Sequence, residues 1–208
     1  MSTKAKSTIN GAADTQEESH GSEIVQTTTA GAFRYLEGRP KQYRADAKAG
    51  NFNINGGTPV GDTLTFIPMA WRFFEDDILQ MGKKKWVELF FVDDKNCVSA
   101  ILFHGYSREH LEKLAQDLFY DDVTLASVVI SIGFVQKKND KIKPAATYHI
   151  AQFEVEEIAS PEKVKELNEF ALANKIYRIE TLSDTCELQA YHNYYIPQDF
   201  MQPAIEPG

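Results

Sequence analysis

The sequence predicts a mainly β protein, a five-stranded Greek-key barrel with one helix between its third and fourth strands. Two observations carry that expectation. Runs rich in β-branched and aromatic residues recur between polar turns over residues 63 to 158, the pattern of strands with buried faces. After the third run the apolar spacing changes from that of a strand to i, i+3, i+4, i+7, i+8, which is helical.

The first strand is expected over 63–74, "TLTFIPMAWRFF", with Pro68 marking an edge, a bulge or a bend. A polar connection at 75–85 leads to "WVELFFV" (86–92), and the tight turn "DDKN" (93–96) leads to "CVSAILFHGY" (97–106). Ser107 is a suitable N-cap, and Leu111, Leu114, Ala115, Leu118 and Phe119 repeat along a helix ending near 121–122. A fourth strand is expected at about 125–136, where Gly133 marks a bulge or a sharp barrel bend, and a fifth at 146–158. Ser160 and Pro161 open a further helix that runs to about 175. The stretch 32–54 does not declare itself helical or extended.

The chain of 208 residues is long enough for one domain with tails. Residues 1–30 are rich in Ser, Thr, Gly, Ala and Gln and are expected to be disordered. Residues 31–158 form the barrel domain, and 159–208 an acidic C-terminal helix and mobile tail, with prolines at 197, 203 and 207. No run of about 18 apolar residues exists and the N-terminus lacks a secretory pattern, so a cytoplasmic protein without a membrane partner is expected. Cys97 and Cys186 lie far apart with no CxxC spacing, which argues against a disulfide framework or a zinc site. Cys97 reads as a small core residue. No nucleophile elbow, phosphate loop or metalloprotease motif occurs, and the paired aspartates at 76–77 and 93–94 read as turn residues, so neither catalysis nor a cofactor is expected.

The net charge of −8 argues at first against a nucleic-acid partner, but its distribution changes that reading. Residues 151–208 carry four Lys and Arg against eleven Asp and Glu, whereas 33–150 carry sixteen against fifteen. A near-neutral body can present a locally basic groove.

Three strands, a helix and two strands is the element order of the OB-fold, which binds oligonucleotides or oligosaccharides around strands 2 and 3 and loops 1-2 and 4-5. Here loop 1-2 would hold Lys83, Lys84 and Lys85, and loop 4-5 Lys137, Lys138, Lys141 and Lys143. On element order, basic loops, aromatic strands and an acidic C-terminal region, residues 62–158 resemble single-stranded DNA-binding proteins of the OB-fold type. The likeness is to divergent phage and mobile-element versions more than to the common bacterial one. It implies non-catalytic, largely sequence-independent binding of single-stranded DNA in replication or recombination, in a bacterial or phage-infected cell, with RNA not distinguished. It also implies a C-terminal region that competes with DNA or holds a replication partner. The chain departs from the bacterial pattern at its end, "QPAIEPG", where an acidic peptide with a terminal Pro-Phe would stand. Open barrel edges leave homo-oligomerisation open. The competing expectation is a protein-interaction or structural module, such as a phage assembly component, using the same barrel.

Single-strand binding needs cations along the backbone and aromatic faces for the bases. Along the second strand Trp86, Glu88 and Phe90 point one way and Val87, Leu89 and Phe91 the other. The set with Glu88 is expected to face outward, which makes Trp86 and Phe90 stacking candidates and Phe91 core. Trp71 either stacks a base or fills the barrel, while Arg72 is a poor core residue. Arg34, Tyr35, Lys41, Tyr43 and Arg44 add interleaved cations and rings. The expectation requires the turns at 83–85 and 137–143 to form one positive rim beside exposed rings.

Overall fold

The run of apolar residues beginning at 64 breaks at Pro68, and that break divides the strands between two sheets. In the computed structural model, which describes residues 33–140 and 146–181, β4 (Leu64–Phe66) and β5 (Pro68–Asp76) are separated by Ile67 alone. β4 pairs with β8 (Val128–Asn139), placing Phe66 opposite Ile130, and β5 pairs with β6 (Lys84–Val92), with a register shift between Pro68 and Ala70. The bend expected at Pro68 is therefore where one segment passes from sheet to sheet.

β6, β7 (Val98–His104) and β9 (Ala146–Ile158) lie where the sequence pattern put them. Helix α1 (Gly105–Tyr120) connects β7 to the segment before β8. Two strands arise from the stretch that the pattern left undecided, β1 (Lys41–Asp46) and β2 (Asn51–Ile54), and a third, β3 (Thr58–Gly61), follows just after it. The order β3-β2-β1-β7-β6-β5 makes a six-stranded sheet, and β4-β8-β9 a three-stranded one. The protein is mainly β, but the two sheets do not close into the expected five-stranded barrel. β1 lies parallel to β7, with Tyr43 opposite Ile101, and occupies an edge that a closing strand would need.

Two local expectations fail for identifiable reasons. α1 starts at Gly105, which has φ +57, after His104 as N-cap. Ser107 instead accepts a hydrogen bond from the Ala151 N–H, 3.0 Å away on β9. The irregularity in β8 falls between Val129 and Ile130 rather than at Gly133, which pairs with Gln152 in an unbroken ladder. The second helix, α2 (Pro161–Ala173), starts as its residues dictate, with the Ser160 side chain accepting from the Lys163 N–H and Pro161 in the first turn.

The core lies on one face of the β5-β6-β7 meander. Trp71, Phe73, Val87, Leu89, Phe91, Ile101 and Phe103 are buried, together with Leu111 and Ala115 of α1 and Ile130 and Ile132 of β8. Phe66 stacks on Phe91 with ring centroids 3.9 Å apart. Each such Val, Leu, Ile or Phe side chain contributes about 1.5–3 kcal/mol through its removal from water.

On the other face of the meander Arg72, Glu88 and Leu102 stand in register across β5, β6 and β7. Arg72 is fully buried, against expectation, because Glu88 is buried beside it. Its Nε donates to Glu88 Oε2 at 2.7 Å and its Nη2 to the Thr181 carbonyl at 2.7 Å. The Thr181 hydroxyl donates to Glu88 Oε2 at 3.0 Å, and Arg178 reaches Glu88 at 3.6 Å. Residues 176–181 are thus fastened over this face, with the Ile179 N–H bonded to the Gly38 carbonyl at 2.9 Å. Removing one member of such a pair strands a charge in the interior. Glu88→Ala is expected to lower unfolding free energy in urea by about 3–5 kcal/mol, and Arg72→Met with Glu88→Leu to recover most of that loss. An unchanged midpoint for Glu88→Ala would mean that the pair is not closed in solution.

Candidate nucleic-acid interface

Strand direction decides where the cations meet. β1 runs parallel to β7, and β7 antiparallel to β6. The end of β1, the turn at 47–50 and the start of β6 with Lys84 and Lys85 therefore lie toward the same end of the six-stranded sheet. The β8-β9 hairpin joins them there. The His149 N–H donates to the Ala47 carbonyl at 2.7 Å, and Phe134 packs on Phe52 with centroids 4.6 Å apart. Gly50 is required at this contact: its φ is +69, and a Cβ would lie 2.7 Å from the His149 ring.

Gln136 stands opposite His149 and Lys137 opposite Tyr148. The contact thus sets the strand ends that carry Lys137 and Lys138 near the turn that carries Lys48, the neighbour of Ala47, whereas the Arg44 guanidinium lies over Gly56 in the β2-β3 turn at the other end of β1. Arg44, Lys48, Lys85 and Lys137 are exposed, and Tyr148 and His149 are half-buried. Among the described residues, Arg44, Lys48, Lys84, Lys85 and Lys137 have no carboxylate within salt-bridge distance. Lys83 meets Glu75 at 3.5 Å and Lys138 meets Asp140 at 2.9 Å, both in exposed pairs of little energetic weight. Lys141 and Lys143 lie outside the described residues, as do the expected disorder of 1–30 and the tail beyond 181.

The rings expected to stack bases are sealed. Trp71 is 1 % exposed and lies on the core face, level with Leu89. Trp86, 3 % exposed, and Phe90, 1 % exposed, do lie on the face away from that core, as the alternation requires, but that face is covered. Trp86 Nε1 donates to the Asp76 carbonyl at 3.0 Å, and its ring packs on Phe74, Ile78 and His104. Burial, and then the nearby Lys84 charge, hold the His104 pKa below its ordinary value. Trp71, Trp86 and Phe90 therefore offer no surface to a base, and the Arg72 guanidinium offers none to a phosphate.

The aromatic residues before β1 are committed elsewhere. The Tyr35 hydroxyl donates to the Lys175 carbonyl at 2.8 Å and accepts from the N–H groups of Gly38 and Tyr177. It is an anchor for the C-terminal segment. Tyr43 is buried against Phe91 and donates to Asp93 at 3.2 Å, while the Lys41 ammonium bonds the same carboxylate oxygen. Burial and then the Asp93 charge push the Tyr43 pKa up to about 12. Burial alone would raise the Asp93 pKa, but hydrogen bonds from Lys41 and from the Cys97 and Lys95 N–H groups outweigh it and hold the group below its ordinary value. Arg34 is exposed, and its Nη2 donates to the Lys95 carbonyl at 3.0 Å. Cys97 is half-buried rather than core.

Of the expected site, then, Lys84, Lys85, Lys137 and Lys138 share one end of the sheets, Arg44 extends to the β2-β3 turn at the other end of β1, and Tyr35, Lys41, Tyr43, Trp71, Arg72, Trp86 and Phe90 serve the fold. Lys48, Tyr148 and His149 are additions. No local pattern marks them, because the 47–149 contact joins segments about a hundred residues apart. No family model, curated protein or solved structure matches the chain. Among the described residues no group of His, Cys, Asp and Glu is arranged to hold a metal, and no helix is long and apolar enough to cross a membrane.

The depressed Asp93 pKa fixes a pH dependence. A carboxylate whose folded pKa lies below its unfolded value of about 3.9 contributes stability that is complete above that value and lost as pH falls through the folded one. Lys41→Met is therefore expected to destabilise the protein at pH 7 and to lose most of that penalty in urea melts near pH 2. A penalty independent of pH would show that the Lys41–Asp93 bond carries none of it.

Proposed function

We propose that this chain binds single-stranded nucleic acid, without strong sequence preference and without catalysis, in replication or recombination. One observation carries the reading: Lys48 of the 47–50 turn and Lys137 of β8, neither of them salt-bridged among the described residues, flank the His149–Ala47 contact, with the half-buried Tyr148 ring paired across the hairpin from Lys137. Phosphates would lie along Lys48 and Lys137, extending toward Lys84 and Lys85, and binding would release counterions. Tyr148, paired across the hairpin with Lys137, would supply a stacking face worth roughly 1–3 kcal/mol.

The fold fits this reading as an opened relative of the OB barrel. The β5-β6-β7 meander, α1 and the β8-β9 hairpin keep the expected order, and the 64–76 segment pairs with both β6 and β8. The excess negative charge of the C-terminal region would serve a replication or recombination partner.

With its large rings sealed, the protein is expected to bind mainly through charge. Titration with oligo-dT at low and moderate salt should give affinity that falls steeply with salt. Lys48→Ala combined with Lys137→Ala should lower affinity and reduce the log–log salt slope by roughly 1.4, about 0.7 per lost phosphate contact. Tyr148→Ala should weaken binding with little change in slope. Absence of binding at low salt would overturn the proposal in favour of a protein-interaction module.

A further inference from the structure

The β8-β9 hairpin is cationic at its tip and anionic at its base, and the base borders a groove. Ser107 and His110 of α1 meet β9 at Ala151, through the Ser107 hydroxyl to the Ala151 N–H and His110 Nδ1 to the Ala151 carbonyl, each at 3.0 Å. Farther along, His110, Lys113, Leu114 and Asp117 face Gln152, Phe153 and Glu154 across an open groove of about 270 Å³. That volume suits a few side chains of an extended strand rather than an enclosed small ligand.

The edge of β9 in this groove is unsatisfied. The His149 and Ala151 backbone groups point away from β8, toward Ala47 and α1. The alternation of an antiparallel ladder turns the Phe153 N–H and C=O the same way. Among the described residues nothing accepts from or donates to them there. Leu114 and Phe153 are half-buried in the lining, and Val155, two residues on, is 38 % exposed.

Charge selects the occupant. Asp117, Asp121, Asp122, Glu154, Glu156 and Glu157 are exposed and have no cation partner among the described residues. Lys113 is the one lysine of the groove lining. A second copy of β9 would bring its own glutamates against these, and a polynucleotide its phosphates, so both are repelled. Charges on an edge strand normally prevent pairing, but they do so selectively, and a basic strand is attracted.

We propose that this groove binds an extended, lysine- or arginine-bearing segment of a protein partner, which adds as a strand to the free edge of β9. Main-chain hydrogen bonds would be made to Phe153, alternate apolar side chains would rest on Leu114 and Phe153, and the intervening cations would meet Asp117 and Glu154. The site is independent of the proposed nucleic-acid interface, which lies toward the other end of the hairpin.

The test titrates the full chain with a nine-residue peptide alternating Val and Lys, by calorimetry and by amide resonance mapping. Binding is expected, with the largest shifts at Phe153 and Val155. Glu154→Lys and, separately, Asp117→Lys on the exposed helix surface should each weaken it at least about tenfold. Lys48→Ala with Lys137→Ala should leave it unchanged, even if those substitutions have no effect on oligo-dT. No binding, equal binding of a Val–Glu peptide, equal binding of a Gly–Lys peptide, or no loss in both charge reversals would overturn the proposal.

Discussion

A buried arginine beside a buried glutamate is stable only if every remaining donor and acceptor around the pair is also satisfied. Here that condition is met by Thr181, whose carbonyl and hydroxyl complete the hydrogen bonding of Arg72 and Glu88, and by the nearby Arg178. The consequence is larger than the local energetics. To close the pair, residues 176–181 must cross the outer face of the β5-β6-β7 meander, and they are held there by Tyr35 and Gly38. The part of this face around Arg72 and Glu88, which sequence alternation marks as outward, is thereby removed from ligand access. Farther along the face, packing against Phe74, Ile78, Leu102 and His104, rather than against α1 and the second sheet, accounts for the burial of Trp86.

With that face closed, the exposed cations and the free strand edge lie at the margins of the sheets. β1 occupies one edge of β7, and the β8-β9 hairpin is docked at its tip by His149 against the 47–50 turn. Gly50 makes this possible, since a side chain there would collide with the imidazole. The hairpin then carries opposite charge at its two ends, lysines near the docked tip and glutamates near the base beside α1. In the proposed readings the same element would present a phosphate-binding surface and a surface for a basic protein strand at separate ends.

Much of this arrangement was legible from residues alone, within limits set by range. β6 and β7 are bounded by recognisable turns, α2 by its Ser160-Pro161 start, and the opposite orientation of Phe90 and Phe91 follows from the period of a strand. "KQYRAD" and "NFNI" were not legible as strands, because short polar segments with Asn and Asp carry little strand propensity and gain their stability from the neighbours they pair with. Arg72 looked surface-bound because its partner is sixteen residues away across a ladder, and Thr181 more than a hundred. Ser107 has the chemistry of an N-cap but spends its hydroxyl on Ala151, a contact no local rule contains. The lysines form a recognisable set in the sequence, yet their meeting point depends on the turn after β1, an element that the pattern does not reveal.

The central claim is that cations around the docked hairpin tip, and not the sealed indoles, receive the nucleic acid. Mapping amide and indole resonances of the full chain during titration with a ten-nucleotide oligo-dT tests it most directly. The account predicts shifts concentrated at Lys48, Lys137, Tyr148 and His149, with the indole N–H signals of Trp71 and Trp86 unmoved. Large indole shifts with a silent 47–50 turn would contradict it.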